Sequence, residues 1–358
     1  MVLPSAPYRH GAGGGVHGGG GSNMKPTIAI IGAGIGGLTL ARELAHDAEV
    51  VVFEKARGVA GRMATRYADP FFFDHGAQCF TARTKAFQGF VRPLIEEGVI
   101  AEWKGKVINL EAGKKTTKRL WFEVHWVASP NMNSLCKHLS DGVDIRLSTE
   151  VAPLGARQKD GWHLMDKEGE PLGVFDWVIS TAPPAQTAAL FGNALSKTTP
   201  MASSTLSGCY ALMLGFNRPW DQAWIAAKVR SSPLKWISVN STKPGRNPDV
   251  TCFVAHSRGN WADEHMNMDM KEAEMLLVDE FTKVTGIDAR AADFTALHRW
   301  RYAIVEDTSQ PGAYLDVDKK LAAVGDWSAT SRIEEVWLSA MQLVKDWKLK
   351  QLMAMSRA

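Results

Sequence analysis

A chain of 358 residues with a 45% hydrophobic fraction is longer than one ordinary core needs, so two domains are expected. The formal net charge is only +3, from 41 basic and 38 acidic residues, with no basic stripe or charge block, which argues against nucleic acid as a partner. Four widely spaced cysteines (Cys79, Cys136, Cys209, Cys252) form no C-x-x-C pair, and no apolar run approaches the ~20 residues that cross a bilayer. Reduced thiols in a cytoplasmic protein are therefore expected, without structural zinc, disulfide framework or membrane span.

Residues 1–23 are glycine-rich, lack the apolar core of a secretion signal, and read as a disordered tail or linker ahead of Met24. Residues 27–31 form an apolar run suited to a buried parallel strand. Gly32, Gly34 and Gly37 then fit G-x-G-x-x-G: a tight turn, a close approach to a pyrophosphate, and a helix packed against the strand. The following residues have helical periodicity, which places the phosphate at a helix N-terminus. A second strand, 49–53, ends at Glu54, about 20 residues after the glycines, where a dinucleotide ribose is held.

Residues 56–66 read as a glycine-punctuated loop, 71–78 as a short strand entering a turn, 84–99 as a helix, and 100–128 as alternating, tryptophan-bearing strands. A capped helix is expected over 131–140 and a strand over 143–151, then a hairpin with turns at Asp160-Gly161 and Glu168-Gly169. A buried strand starts at Trp177. Runs 209–216 and 250–256 are strand-like and flank a polar loop, 240–249. A helix over 269–285, a strand over 321–327 and a final helix over 332–350 complete the pattern.

Taken together, Gly61-Arg-Met-Ala-Thr-Arg, Phe73-Asp-His-Gly-Ala-Gln, Leu297-His-Arg-Trp-Arg-Tyr-Ala, Gly325-Asp-Trp, Arg332-Ile-Glu and Trp337-Leu-Ser resemble the renalase-like flavoproteins of the FAD-dependent amine-oxidase superfamily. The resemblance implies an α/β fold, with a Rossmann-like FAD-binding domain and a mixed-sheet substrate domain (p-hydroxybenzoate hydroxylase/amine oxidase-like). It implies FAD-binding segments 24–90, 131–190 and 301–350, substrate-domain segments 91–130 and 191–300, and a C-terminal tail at 351–358. It also implies Glu54 on the adenosine ribose, Arg62 on the pyrophosphate and Gly76, Ala77 and Gln78 beside the isoalloxazine. Val151 would meet the adenine, Asp326 the ribityl-phosphate portion, and Arg332 and Ile333 the flavin edge at the last helix's N-terminus. Gly32, Gly34, Ile35, Gly37, Lys55, Met63 and Gly325 complete the implied FAD set. No cysteine follows Cys252, so FAD is expected to be non-covalent.

Members of this family oxidise 2- or 6-dihydro isomers of NAD(P)H and pass the electrons to O2. The resemblance thus implies a pyridine-nucleotide substrate, with hydrogen peroxide as a product. Gln78, His256 and Trp300 are the implied candidates for direct catalytic roles, and Trp236, Asn240, Trp261 and Trp300 for substrate contact. Lys243 and Arg246 of the polar loop are candidates for the substrate phosphates. Oxidation of small amines, or flavin binding with little catalysis, remain open alternatives. The chain departs from the family pattern at Cys79, Glu335 and Ala340. No metal site is expected.

Overall fold

A computed structural model of the chain describes residues 25–195, 204–308, 312–328 and 332–355. The stretch 1–23, expected as a tail or linker, lies outside them. The chain opens with β1 (Thr27–Ile31), α1 (Ile35–Leu44), β2 (Glu49–Phe53), β3 (Thr65–Ala68), β4 (Phe71–Asp74) and α2 (Lys85–Glu96). Next come β5 (Ile100–Glu102), β6 (Lys106–Leu110), β7 (Thr117–Arg119), β8 (Trp126–Ala128), α3 (Ser134–Leu139) and β9 (Asp144–Arg146). β10 (Trp162–Met165), β11 (Pro171–Phe175), β12 (Trp177–Ser180) and α4 (Pro184–Phe191) follow. Then come β13 (Ser204–Phe216), β14 (Trp224–Val229), β15 (Leu234–Val239), β16 (Thr251–Ser257), α5 (Gly259–Glu264), α6 (Met270–Thr285) and β17 (Phe294–Thr308). The chain closes with β18 (Tyr314–Asp316), β19 (Leu321–Ala323) and α7 (Ile333–Met355).

A six-stranded sheet in the order β18-β19-β12-β1-β2-β9 draws its strands from three separated stretches of chain. It is parallel except at β18–β19. Parallel strands are buried on both faces, which is why Ile28–Ile30 and Trp177–Ser180 are almost wholly apolar. Helices α1 and α7 cross closely here: a Cβ on Gly36 would lie 3.1 Å from a Val336 methyl, and Ala340 is fully buried.

The second sheet has seven strands, ordered β17-β13-β16-β15-β14-β6-β7, and is mixed because β14 and β6 run parallel. One face is covered by α6, which buries Ala273, Leu277 and Phe281 against Tyr210, Leu212 and Phe253. Each fully buried leucine or phenylalanine here contributes about 1.5–3 kcal/mol. Asp269 caps α6 by accepting from the Lys271 and Glu272 amides, and Gly286 ends it at φ +73°. The other face turns toward β4, where Phe71 and Phe73 pack on Met213, Cys252, Val254 and Ala296.

Several expectations are corrected. The strand expected over 143–151 stops at Arg146, since Ser148 takes φ +53° and Thr149 N–H turns to the Glu54 carbonyl. Val151 instead bridges Asp166. The helix expected over 131–140 is only Ser134–Leu139, and no side chain caps it. The last helix continues to Met355, through much of the expected tail. Sequence reading missed α4, α5, β14, β15 and β17.

Candidate functional site

At the first turn, Gly32 has φ +108°, and a Cβ on Gly37 would collide with the Gly32 carbonyl oxygen. Around Gly34 a Cβ would meet nothing within 4 Å, so the middle of the turn is open where a phosphate approaches. Thr181, at the end of β12, closes the turn from beside by donating to the Ile31 and Gly32 carbonyls at 3.0 and 3.2 Å. Glu54 is buried at the end of β2, and its two carboxylate oxygens accept from the Ala33 and Ala56 amides, each at 2.8 Å. A carboxylate has about four acceptor sites, so capacity remains for ribose hydroxyls. Ile35 and Met63 are buried beside this turn, whereas Lys55 is exposed and reaches Gln186.

Arg62 and Asp326 lie 264 residues apart and form a bidentate pair, with Arg62 Nη2 donating to Oδ1 at 2.9 Å. Arg62 Nη1 also donates to the Tyr302 carbonyl at 3.3 Å. Arg62 keeps a third of its side chain exposed while Asp326 is buried. Three of the five guanidinium N–H groups are used, leaving two for an anion. Gly76 lies against the Arg62 backbone, where a Cβ would collide, and Ala77 N–H donates to the Arg62 carbonyl at 2.8 Å. Gly325 is pressed on the Trp327 indole, 2.7 Å from where its Cβ would stand. On α7, Glu334 accepts from the Arg83 and Thr84 amides, at 3.0 and 2.7 Å for the shorter pair of contacts. Glu335 is three-quarters covered, 3.8 Å from Arg332, with Oε2 buried and unpartnered. Arg332 itself is half exposed, and Ile333 packs on the core.

These residues fit a dinucleotide cofactor: an open glycine turn, an acid with spare acceptors at the second strand's end, and an arginine with spare donors.

Beyond Gly76 the site rests on a buried ion set. Asp74 Oδ2 accepts from Lys243 Nζ at 3.2 Å and Arg246 Nη2 at 2.6 Å, while Oδ1 accepts from Thr65 and Met132. Burial would raise the Asp74 pKa, but the two cations overcome it and hold the group at about 2. Burial pushes the Lys243 ammonium down to about 8, although Asp74 opposes the shift. Lys243 Nζ also donates to Gln78 Oε1 at 3.2 Å, and Gln78 Nε2 donates to the Asp74 and Gly76 carbonyls. Arg246 Nη1 donates to the Ala128 and Pro244 carbonyls at 2.6 and 2.7 Å.

The expectation that Lys243 and Arg246 meet substrate phosphates is thus corrected: their side chains are 0% and 2% exposed and turned inward onto Asp74, Gln78 and backbone carbonyls, with Arg246 Nε buried and unpartnered. Asn240 is likewise fully buried, its Nδ2 donating to the Phe72 carbonyl at 2.9 Å.

The sheet face toward β4 carries the aromatic groups. His256 Nε2 and Trp300 Nε1 both donate to the His75 carbonyl at 3.0 Å. The His75 and Trp300 rings stack at 5.2 Å, and His298 meets Trp300 at 4.2 Å. Burial lowers the pKa of His75, His256 and His298 to about 4, so all three are neutral at pH 7. Trp236 stands opposite His256 in the β15–β16 register, on the same face. Trp261 does not join them. It stacks on His265 and meets Tyr210 edge-on at 5.5 Å, and Tyr210 points to the α6 side of β13. Helix α5 carries it to the opposite face of the sheet.

Sequence reading overlooked Asp74 and Thr181. The signal for Asp74 was present: a carboxylate ending the run Phe71-Phe-Phe must bury its charge and needs a cation. All four cysteines are free, with burial raising Cys79 to about 11. Among the described residues no cluster of three or more metal-ligating side chains occurs, and no helix is long and apolar enough to cross a membrane.

The family model described as flavin containing amine oxidoreductase matches residues 114–344, and that of the NAD(P)-binding Rossmann-like domain matches residues 30–94. Among solved structures, a protein provisionally assigned as a protoporphyrinogen oxidase from Exiguobacterium sp. 255-15 is similar with a TM-score of 0.75 at 12% identity, over 92% of this chain and 100% of that one. Wild-type putrescine oxidase bound to putrescine aligns with a TM-score of 0.70 at 12% identity, covering 91% and 99%. An oxidoreductase from Methanosarcina mazei aligns with a TM-score of 0.67 at 14% identity, covering 89% and 100%. At these identities the likeness is one of fold.

Proposed function

The chain belongs to the flavin containing amine oxidoreductases and is an FAD-dependent oxidoreductase; on that premise we propose a renalase-like oxidase of 2- and 6-dihydro isomers of NAD(P)H. Bound FAD supplies the redox chemistry: the dihydropyridine gives up a hydride and becomes aromatic NAD(P)+, and O2 takes two electrons and two protons to leave as H2O2.

The chain's own part is to place and shield the ring. Gly32, Gly34, Gly37, Glu54, Arg62 and Asp326 would hold the cofactor's adenosine and phosphate portions. The aromatic face around His256 and Trp300 would take the substrate's pyridine ring. The observation that carries the reading is the chemistry of that face. On β13, β15, β16 and β17 as far as Trp300, the side chains turned toward β4 include no Asp or Glu to receive an ammonium group. The histidines there are neutral at pH 7. A dihydropyridine releases its hydride without first losing a proton, so a wall of neutral aromatics suffices for it. A protonated amine needs an acceptor.

Anaerobic mixing of the FAD-loaded enzyme with the isomers, ordinary 4-dihydro NAD(P)H and putrescine tests this. The flavin absorbance should bleach fastest with the 2- or 6-dihydro isomers. Fast bleaching by putrescine with no response to the isomers would establish the small-amine alternative instead.

A further inference from the structure

Farther along the same sheet face lies a second aromatic group. Trp236 stands opposite Lys228 in the β14–β15 register, and Lys228 stands opposite Asn109 in β14–β6, so the three share one face. After β7 the chain folds back and lays Trp121 alongside Trp236. The two indoles are parallel within 6°, with centroids 6.1 Å apart. Trp121 also stacks on His125 at 3.6 Å and meets Trp103 edge-on at 5.6 Å. Arg83 anchors the same strap through Glu123.

Both Trp121 and Trp236 remain partly exposed. Lys228 is half-buried beside them and has no hydrogen-bond or ion-pair partner among the described residues. Arg119, also turned to this face by its pairing with Val107, has a buried Nε without a partner. Two pinned, parallel indoles with cations beside them suit a planar heterocycle that carries phosphate. The loop cations do not reach that phosphate, because Lys243 and Arg246 are buried against Asp74.

We propose that Trp121 and Trp236 form a flat-ring subsite, with Lys228 as its phosphate partner, for the purine end of a dinucleotide substrate. The proposal rests on the pyridine-nucleotide reading above. It adds which half of the substrate each part of the sheet holds: the pyridine near His256 and Trp300, the purine about one strand farther out.

Two measurements on the FAD-loaded enzyme separate the proposal from that reading. The first compares dihydro isomers of NAD with those of nicotinamide mononucleotide, which lacks the purine half. Trp121→Ala and Lys228→Gln should raise KM for the dinucleotide roughly tenfold with kcat unchanged, and leave the mononucleotide unaffected. Trp121→Phe should restore most of the loss, because it keeps a flat ring. Equal losses on both substrates, or none, would overturn the subsite. The second is calorimetric titration of the oxidised enzyme with adenosine 5′-monophosphate. Binding that weakens in Trp121→Ala supports the subsite even if neither isomer reduces the flavin, an outcome that would sink the reading alone. No binding to the unmutated enzyme would overturn the subsite.

Discussion

Two arginine–aspartate sets flank the segment from Gly61 to Gln78, and they are built for different work. Arg62 and Asp326 form a one-to-one pair at the edge of the glycine turn, with the arginine a third exposed and two N–H groups to spare. Asp74, Lys243 and Arg246 form a dry set with two cations on one carboxylate, so a positive charge is left over in the interior. The first set can exchange a partner for a ligand. The second cannot without leaving a charge unpaired in low dielectric. In sequence the arginines of the two sets look alike, and depth alone separates them.

The largest effect should come from breaking the dry set. Asp74→Asn keeps the shape but strands two buried cations, at a cost of about 3–5 kcal/mol. Urea denaturation of the FAD-loaded enzyme reads this as a lower midpoint. If the variant yields no folded protein, Asp74→Asn combined with Lys243→Met should recover part of the loss. A midpoint unchanged from the original would show that the set does not bear on stability.

Next is the exposed pair. Arg62→Ala should loosen FAD by roughly ten- to a hundredfold, from a lost charge-assisted contact of about 1.5–3 kcal/mol. Equilibrium dialysis measures it. Lys243→Met should leave FAD affinity unchanged, and an equal loss in both variants would erase the distinction between the sets.

A further test sharpens the comparison through pH. The folded-state pKa of Lys243 is about 8 against an ordinary 10.5, so above pH 8 the folded protein holds fewer protons than the unfolded chain. Stability attributable to Lys243 should therefore rise from pH 8 to 10.5, as the buried ammonium loses its proton. The difference in unfolding free energy between the original protein and Lys243→Met should show this slope. A flat difference would mean that Lys243 is hydrated.

The nucleotide half was legible because its signals are local. An apolar run, helical spacing, three glycines and an acid at a fixed offset all lie within 28 residues, from Thr27 to Glu54, and the structure builds β1, α1 and β2 from them. The pairing of Arg62 with Asp326 joins residues 264 positions apart, and no spacing rule reaches that far. The loop 240–249 misled because polar residues usually mark solvated chain. Here they answer a carboxylate that ends an apolar strand, and Asp74 was the place to look. Trp261 misled for a geometric reason: α5 passes to the α6 side of the sheet, a crossing that strand alternation cannot forecast. The strand after Val143 was read too long because Val151 fits the apolar pattern, but Thr149 N–H is claimed by the Glu54 carbonyl.

The carbonyl of His75 has a consequence for the order of assembly. Its two lone pairs are both occupied, by ring donors lying 181 and 225 residues farther along the chain. A carbonyl held from two directions cannot rotate, so the plane of the His75–Gly76 peptide is set, and with it the direction of the Gly76 N–H. Nothing within residues 25–195 supplies either donor. A polypeptide emerging from the ribosome can therefore complete its glycine turn early, but this peptide takes its final orientation only once β16 and β17 have been made.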